Sequence, residues 1–195
     1  MTPGRYSDED RAMLLELARQ AMDETLRHGR LPHVAGDHVP PGFGEPRACF
    51  VTLTQRGALR GCVGTLAPRW PLYRAVMENA RSAATRDSRF EPVSLAELPE
   101  LIVEISVLSQ PRRLRHDSTE ELLDRLRPGI DGVILSSGRH SATYLPQVWN
   151  KLPGKEPFLA SLCRKAGLPE QAWRDPATRV ETYTVESFEE QDPVH

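Results

Sequence analysis

The sequence predicts an α+β fold with mixed, largely antiparallel sheets and flanking helices. Two observations support this class. Stretches with strand and helix patterns alternate irregularly along the 195 residues, and several predicted strands are joined directly as hairpins. A doubly wound parallel sheet would instead require a helix between successive strands. The length of 195 residues suits one domain, or one domain with a smaller lobe attached, and no internal repeat is evident.

The first predicted element is a helix over about residues 8–28. Ser7 and Asp10 have the spacing of a capping box, and Gly29 supplies a stop. Between them, one apolar stripe recurs at helical spacing: Leu14, Leu17, Ala18, Ala21, Met22 and Leu26. The following segment, 31–46, is rich in glycine and proline and is too long for a simple connector, which predicts a wrapping or functional loop.

Two strands follow, over 48–54 and 59–65, with a turn at 55–57. A turn centred on Arg56 and Gly57 would place Cys62 opposite Val51 and Cys49 opposite Gly64. That register puts both cysteines diagonally on one face and argues against a disulfide between them.

The remaining elements follow from local patterns. Pro71 can begin an alanine-rich helix, and 101–108 reads as a buried central strand because only Glu104 interrupts its apolar character. In the second half, a Ser118-capped helix precedes a hairpin of strands 131–135 and 141–145. A helix beginning at Pro157 and a last strand over 179–188 complete the prediction.

Composition and charge exclude several function classes. The formal net charge is −2, which gives no general attraction to nucleic acid. Apolar runs are far shorter than the roughly 20 residues of a membrane span, and no apolar signal-peptide core is evident, so a cytoplasmic location is expected. The short basic cluster Arg112, Arg113, Arg115 and His116 is more typical of a solvated strand end than of a phosphate site.

No metal or cofactor is predicted. The three cysteines include no Cys-x-x-Cys spacing, which argues against a structural zinc site. His33 and His38 flank Asp37 in the long loop, but glycine and proline there give the spacing no rigid support.

The segment 59–65 contains the main candidate site. Glycines within a strand mark a bulge or a close approach by a ligand or another backbone, and Gly61 and Gly64 flank Cys62 here. Arg60 could hold an anion and favour the thiolate. One interpretation is a nucleophilic or substrate-binding thiol, with Arg60 and the glycines holding the ligand. The other is a buried structural cysteine on a bulged strand.

A thiol nucleophile needs a base, and other polar residues could belong to such a site. His140, in a polar turn, is the candidate base, and His33 and His38 in the long loop are alternatives. Glu104 could either bind substrate or form a buried ion pair with Arg60 or Arg89. Asp87 and Arg89 could bind substrate, or could pair with each other or cap helix ends.

Taken together, these segments resemble the AMMECR domain family, also called AmmeMemoRadiSam system protein A. The similar blocks occur in order from about Ser7 to Phe188, with Val63 where isoleucine is common. They are Leu59-Arg-Gly-Cys-Val-Gly64, Asp87-Ser-Arg-Phe-Glu-Pro92, Glu104-Ile-Ser-Val-Leu108, Asp131-Gly-Val-Ile-Leu135, Tyr144-Leu-Pro-Gln-Val-Trp149 and Phe158 to Leu168.

The resemblance implies one α+β domain over residues 1–195, with a larger and a smaller lobe and a cleft near Cys62. It also implies an association with Memo-like and radical SAM proteins, because prokaryotic members tend to be encoded beside them. It supplies no catalytic mechanism. The leading hypothesis is a cleft around Cys62 that acts on or binds a small molecule or peptide in a modification system. The alternative is a non-catalytic adaptor for a protein partner.

Overall fold

The computed structural model describes residues 6–34 and 39–191. The predicted loop residues Asp37 and His38 lie outside these ranges. The chain divides into two compact units. The first contains the described residues up to 108 and from 186 onward, and the second contains residues 109–185.

Four α-helices and eight strands are present in the described part of the chain. The helices are α1 (Asp8–His28), α2 (Leu72–Thr85), α3 (Thr119–Arg125) and α4 (Lys155–Lys165). The strands are β1 (Cys49–Gln55), β2 (Ala58–Thr65), β3 (Leu101–Leu108), β4 (Arg112–Arg113), β5 (Gly132–Ser137), β6 (His140–Tyr144), β7 (Arg179–Tyr183) and β8 (Val185–Glu189). The described helices include none that is long and apolar enough to cross a membrane.

The strands form two four-stranded sheets, which confirms the α+β class. The first sheet has the order β2-β1-β3-β8, and the second has the order β4-β7-β5-β6. Antiparallel pairing joins β1 to β2 and β3, and joins β7 to β4 and β5. The prediction of one continuous strand over 179–188 is wrong. The segment forms two strands, β7 and β8, which are separated by Thr184 and belong to different sheets.

Helix α1 has the ends that the sequence predicts. The side chain of Ser7 accepts from the Asp10 backbone N–H, and the side chain of Asp10 accepts from the Ser7 backbone N–H. Gly29 ends the helix with φ at 72°, a left-handed conformation that glycine adopts without a steric penalty.

One face of the first sheet supplies the core of the first unit. Residues at alternate positions on β1 and β3 are fully or almost fully buried with α1 and α2: Cys49, Val51, Leu53, Leu101, Val103, Ile105 and Val107. Alanines on the inner side of α2 allow its backbone to approach the strands: Ala75, Ala80, Ala83 and Ala84. Strand β3 lies between β1 and β8, so its predicted central position is confirmed.

The β1–β2 hairpin differs from the predicted register. The turn is at Arg56 and Gly57, whose φ angles of 51° and 76° have the positive sign that a type I′ turn requires. Thr54 pairs with Leu59, but Leu53 pairs with Gly61, so Arg60 is an extra residue in a β-bulge.

The bulge shifts all later pairs by one position. Cys62 pairs with Thr52, and Cys49 pairs with Thr65. Because side chains alternate along a strand, this shift moves Cys62 to the face opposite Cys49. The prediction that both cysteines lie on one face is therefore wrong.

The second unit has its own core between the second sheet and α4. Trp149 stacks on Phe158 with ring centroids 3.6 Å apart, and its Nε1–H donates to the Asp131 carbonyl over 2.7 Å. Asp131 accepts from the Arg127 backbone N–H and guanidinium, and its side chain is 2% exposed. Gly132 is required because an added Cβ would overlap the ring of Tyr183. The similar blocks at 131–135 and 144–149 therefore form this core.

Candidate functional site

Two side chains from the loop after α2 cover the outer edge of β2 at Cys62. The Cys62 backbone N–H donates to Asp87 Oδ2 over 2.8 Å, and Arg89 Nη2 donates to the Cys62 carbonyl over 3.3 Å. Strand β2 is at the edge of the first sheet, where these backbone groups have no neighbouring strand. Asp87 and Arg89 therefore provide the hydrogen bonds that another strand would otherwise make.

Asp87 and Arg89 also bind each other, as one of the sequence interpretations predicts. Arg89 Nη2 lies 2.7 Å from Asp87 Oδ2, and Arg89 Nε lies 2.9 Å from Asp87 Oδ1. The Arg89 hydrogen bond holds the pKa of Asp87 well below its usual range, and the Cys62 N–H acts in the same direction. The pair is consequently ionised at neutral pH and fixed against the strand edge.

The bulged residue Arg60 binds the segment that leads to β3. Its Nε donates to Glu97 Oε1 over 2.8 Å, and its Nη1 donates to the Glu91 carbonyl over 2.9 Å. The Arg60 hydrogen bond, together with the Ser94 backbone N–H, lowers the pKa of Glu97 to about 2. The side chain of Arg60 is 16% exposed, so most of its surface is used within the fold.

The two glycines beside Cys62 are explained by close packing. A Cβ at position 61 would overlap the backbone carbonyl of Ala83 on α2, and a Cβ at position 64 would overlap the ring of Phe50. Gly61 thus allows α2 to approach the sheet, and Gly64 accommodates a cross-strand aromatic ring. Both remain predicted ligand contacts, but each already has a packing role.

The side chain of Cys62 lies on the half-exposed face of the first sheet, in a row of three polar side chains. Cys62 pairs with Thr52 across β2 and β1, and Thr52 pairs with Glu104 across β1 and β3. We call Cys62, Thr52 and Glu104 the polar row. Thr52 Oγ1 donates to Cys62 Sγ over 3.4 Å. All three residues are partly exposed.

Glu104 has a hydroxyl partner instead of the predicted arginine. Ser106 Oγ donates to Glu104 Oε1 over 3.1 Å and lies 2.8 Å from Ser187 Oγ on β8. Arg60 and Arg89 bind Glu97 and Asp87 instead. The predicted ion pair of Glu104 is therefore wrong, and its carboxylate is neutralised by no cation among the described residues.

Sequence reasoning missed Thr52 and Ser106. Threonine is a common strand residue, and nothing local distinguishes Thr52 from Thr54. The useful signal was alternation. Thr52 and Thr54 of β1 alternate with buried residues, as do Glu104 and Ser106 of β3, and only the antiparallel register shows that they share one face.

The other two cysteines differ sharply from Cys62. Cys49 and Cys163 are both 0% exposed. Burial raises the pKa of Cys49 to about 12, although its Asn79 hydrogen bond acts in the opposite direction, and burial also raises the pKa of Cys163. Both thiols are protonated and inaccessible in the folded protein.

His140 belongs to the second unit, at the first position of β6. The predicted five-residue turn is therefore too long, since only residues 138 and 139 separate β5 from β6. His140 Nδ1 lies 3.0 Å from the Ala166 carbonyl. A carbonyl only accepts, so Nδ1 is the donor in this contact.

Comparison with known proteins identifies the family. The AMMECR1 family model matches residues 15–188. The chain belongs to the AMMECR1 family. Among its relatives, a Thermococcus gammatolerans protein is 41% identical over 97% of this chain and 94% of its own length. A Methanothermobacter thermautotrophicus protein is 41% identical over 94% of this chain and 95% of its own length.

The fold of this member of the AMMECR1 family also matches a solved structure. The crystal structure of an uncharacterized protein from Pyrococcus horikoshii superposes with a TM-score of 0.78 at 40% identity, over 93% of this chain and 91% of that chain. Three of the similar blocks lie in the first unit: 59–64 is on β2, 87–92 binds β2 at Cys62, and 104–108 is on β3, which β1 separates from β2. In the described residues, no group of three or more histidines, cysteines and acidic residues is placed to hold a metal.

Proposed function

We propose that this AMMECR1-family protein binds a small molecule or peptide over the polar row and presents the Cys62 thiol to it. One observation carries the proposal. Cys62, Thr52 and Glu104 occupy directly opposed positions on three adjacent strands, on the face that the helices leave open. Arg60, Asp87 and Arg89 make internal contacts that fix this strand, and so act as supports for the site.

The chemistry of the row indicates a ligand class. Adjacent strands are about 4.8 Å apart, so the backbones at Cys62 and Glu104 are separated by roughly 10 Å. A ligand that spans this distance would meet a thiol at one end and a carboxylate at the other. A carboxylate accepts only, so the ligand end at Glu104 would carry N–H groups or a cation. The hydroxyl of Thr52 donates to Sγ and would stabilise negative charge that develops there.

The remaining roles are proposals from the sequence. His140 stays the candidate base that the sequence suggests, and Arg60, Gly61 and Gly64 would shape the ligand site. Memo-like and radical SAM proteins would be partners in a modification system.

Alkylation of single-cysteine proteins tests the thiol. Each of Cys49, Cys62 and Cys163 is left alone by Cys→Ser changes at the other two, and the iodoacetamide rate is followed against pH. We expect Cys62 to react roughly tenfold faster or more near neutral pH, since reactivity follows access and thiolate character. Equal rates for all three folded proteins would contradict the proposed role of Cys62.

A non-catalytic adaptor is the second candidate, and one observation favours it. Large apolar side chains are exposed on β2, which carries Cys62, and just after it: Leu59 is 44% exposed, and Leu66 and Trp70 are each 39% exposed. In an adaptor, Cys62→Ser would leave partner binding intact and Leu66→Ser would weaken it. The opposite pattern would support a thiol-dependent site.

A further inference from the structure

A cavity of about 400 Å³ lies within the second unit, apart from every residue of the polar row. Its wall includes three arginines, Arg113, Arg115 and Arg174, together with His116. Asp117 is the one acidic residue in this wall. The cavity volume falls in the range of small-molecule sites, about 300–1,000 Å³.

The fold explains how these cations converge. Arg113 pairs with Glu181 in the register of β4 and β7. The segment after β4 stays beside β7, because the Leu114 backbone N–H donates to the Val180 carbonyl. Val180 and Thr178 also line the cavity. Arg174 comes from the segment after α4 and also lines the cavity.

The three arginines of the cavity wall differ in their side-chain partners. Arg174 donates to Glu156 over 2.8 Å and to Gln171 over 2.8 Å, and it lies over the Trp173 ring. Arg113 and Arg115 form no ion pair with any residue in the described ranges, and both are exposed. The nearest acid on the neighbouring strand, Glu181, is bound by Arg179 over 2.7 Å. Two guanidinium groups therefore border the cavity with their donors available.

We propose that this cavity binds a phosphorylated small molecule. Guanidinium groups form paired, charge-assisted hydrogen bonds with phosphate oxygens, and two of them balance a dianion. His116 adds one N–H donor, or two when protonated. The cluster lines a cavity, and the chain carries a net charge of −2, which favours a small anion over a nucleic acid.

Titration calorimetry of the full chain with inorganic pyrophosphate tests the proposal. Arg113→Ala and Arg115→Ala should each weaken binding roughly tenfold, the usual loss for one charge-assisted hydrogen bond. Arg115→Lys should lose less than Arg115→Ala, because it keeps the charge. Arg112→Ala is the matched control. Arg112 is exposed and adjacent in sequence but is absent from the cavity wall, so this change should leave affinity within about twofold.

Three results would overturn the proposal. One is pyrophosphate binding weaker than roughly 10 mM in low-salt buffer. Another is an equal loss of affinity in Arg112→Ala, which would show only general attraction to a basic surface. The third is citrate binding as tightly as pyrophosphate, since that would show a carboxylate-tolerant site without phosphate preference. Circular dichroism of each variant confirms that a loss of binding is not a loss of folding.

Discussion

The backbone N–H of Cys62 donates to the carboxylate of Asp87 over 2.8 Å, between residues 25 positions apart in the chain. This bond ties the middle of the edge strand β2 to the loop after α2. It also explains why two separate similar blocks, at 59–64 and 87–92, belong together. Asp87 accepts a hydrogen bond from a backbone N–H of the edge strand, and its carboxylate is also bound by Arg89.

Removing the Asp87 carboxylate should destabilise the first unit. Asp87→Ala leaves the Cys62 N–H and the Arg89 guanidinium without their acceptor, and we expect a loss of about 1–3 kcal/mol in the free energy of unfolding. Urea denaturation measures this loss. Ser88→Ala is the control, because Ser88 is exposed and lies in the same loop. Equal stability of the two variants would contradict the role given to Asp87.

The Arg60–Glu97 contact should make stability depend on acid pH. The pKa of Glu97 is lowered from 4.5 to about 2 in the folded protein. The folded state therefore binds this proton less readily than the unfolded chain. The contribution is present above about pH 4.5 and is lost as the pH falls toward 2. The stability difference between wild type and Glu97→Gln, measured by urea denaturation, should shrink across this window. A constant difference would show that the Glu97 charge is unimportant.

Gly61→Ala should disrupt the packing of α2 on the sheet. The added Cβ would overlap the Ala83 carbonyl, a backbone group that cannot rotate away. We expect a loss of about 1–3 kcal/mol or a failure to fold, as for other overpacked sites. Gly42→Ala provides the control, since a Cβ at position 42 meets nothing within 4 Å. Thermal denaturation compares the two, and an unchanged melting temperature for Gly61→Ala would refute the steric explanation.

Thr52→Val should slow the alkylation of Cys62. Valine keeps the shape of threonine but cannot donate to Sγ, so negative charge on the sulfur loses one hydrogen bond. We expect a rate reduction of roughly two- to fivefold near neutral pH, consistent with the modest strength of a bond to sulfur. Thr54→Val changes a similar residue on the same strand and should leave the rate unchanged. A faster reaction in Thr52→Val would indicate that Thr52 merely shields the thiol.

Much of the fold could be predicted because local signals agree with tertiary structure. The capping box at Ser7, the stop at Gly29 and the apolar strand 101–108 are all found as predicted. The hairpin turn was also predicted, but its register was not. Glycines in β2 indicated a bulge or close approach, yet only pairing with β1 shows that Arg60 is the extra residue.

The candidate site was harder to predict because its geometry depends on that bulge. Cys62 and Glu104 stand out in the sequence, the first between glycines and the second on an apolar strand. Thr52, which lies between them, does not stand out in the sequence. Its role depends on which residues oppose it on β2 and on β3. An ion pair of Glu104 with Arg60 or Arg89 was one of its two sequence interpretations, but Arg60 binds Glu97 and Arg89 binds Asp87.

The covered edge of β2 has a consequence for the behaviour of the protein at high concentration. An open strand edge is a template on which a second chain can add its own strand, which leads to edge-to-edge aggregation. Asp87 and Arg89 occupy the outward-facing groups of Cys62 and place two charges beside them. A chain that loses this pair is therefore exposed to self-association as well as to unfolding.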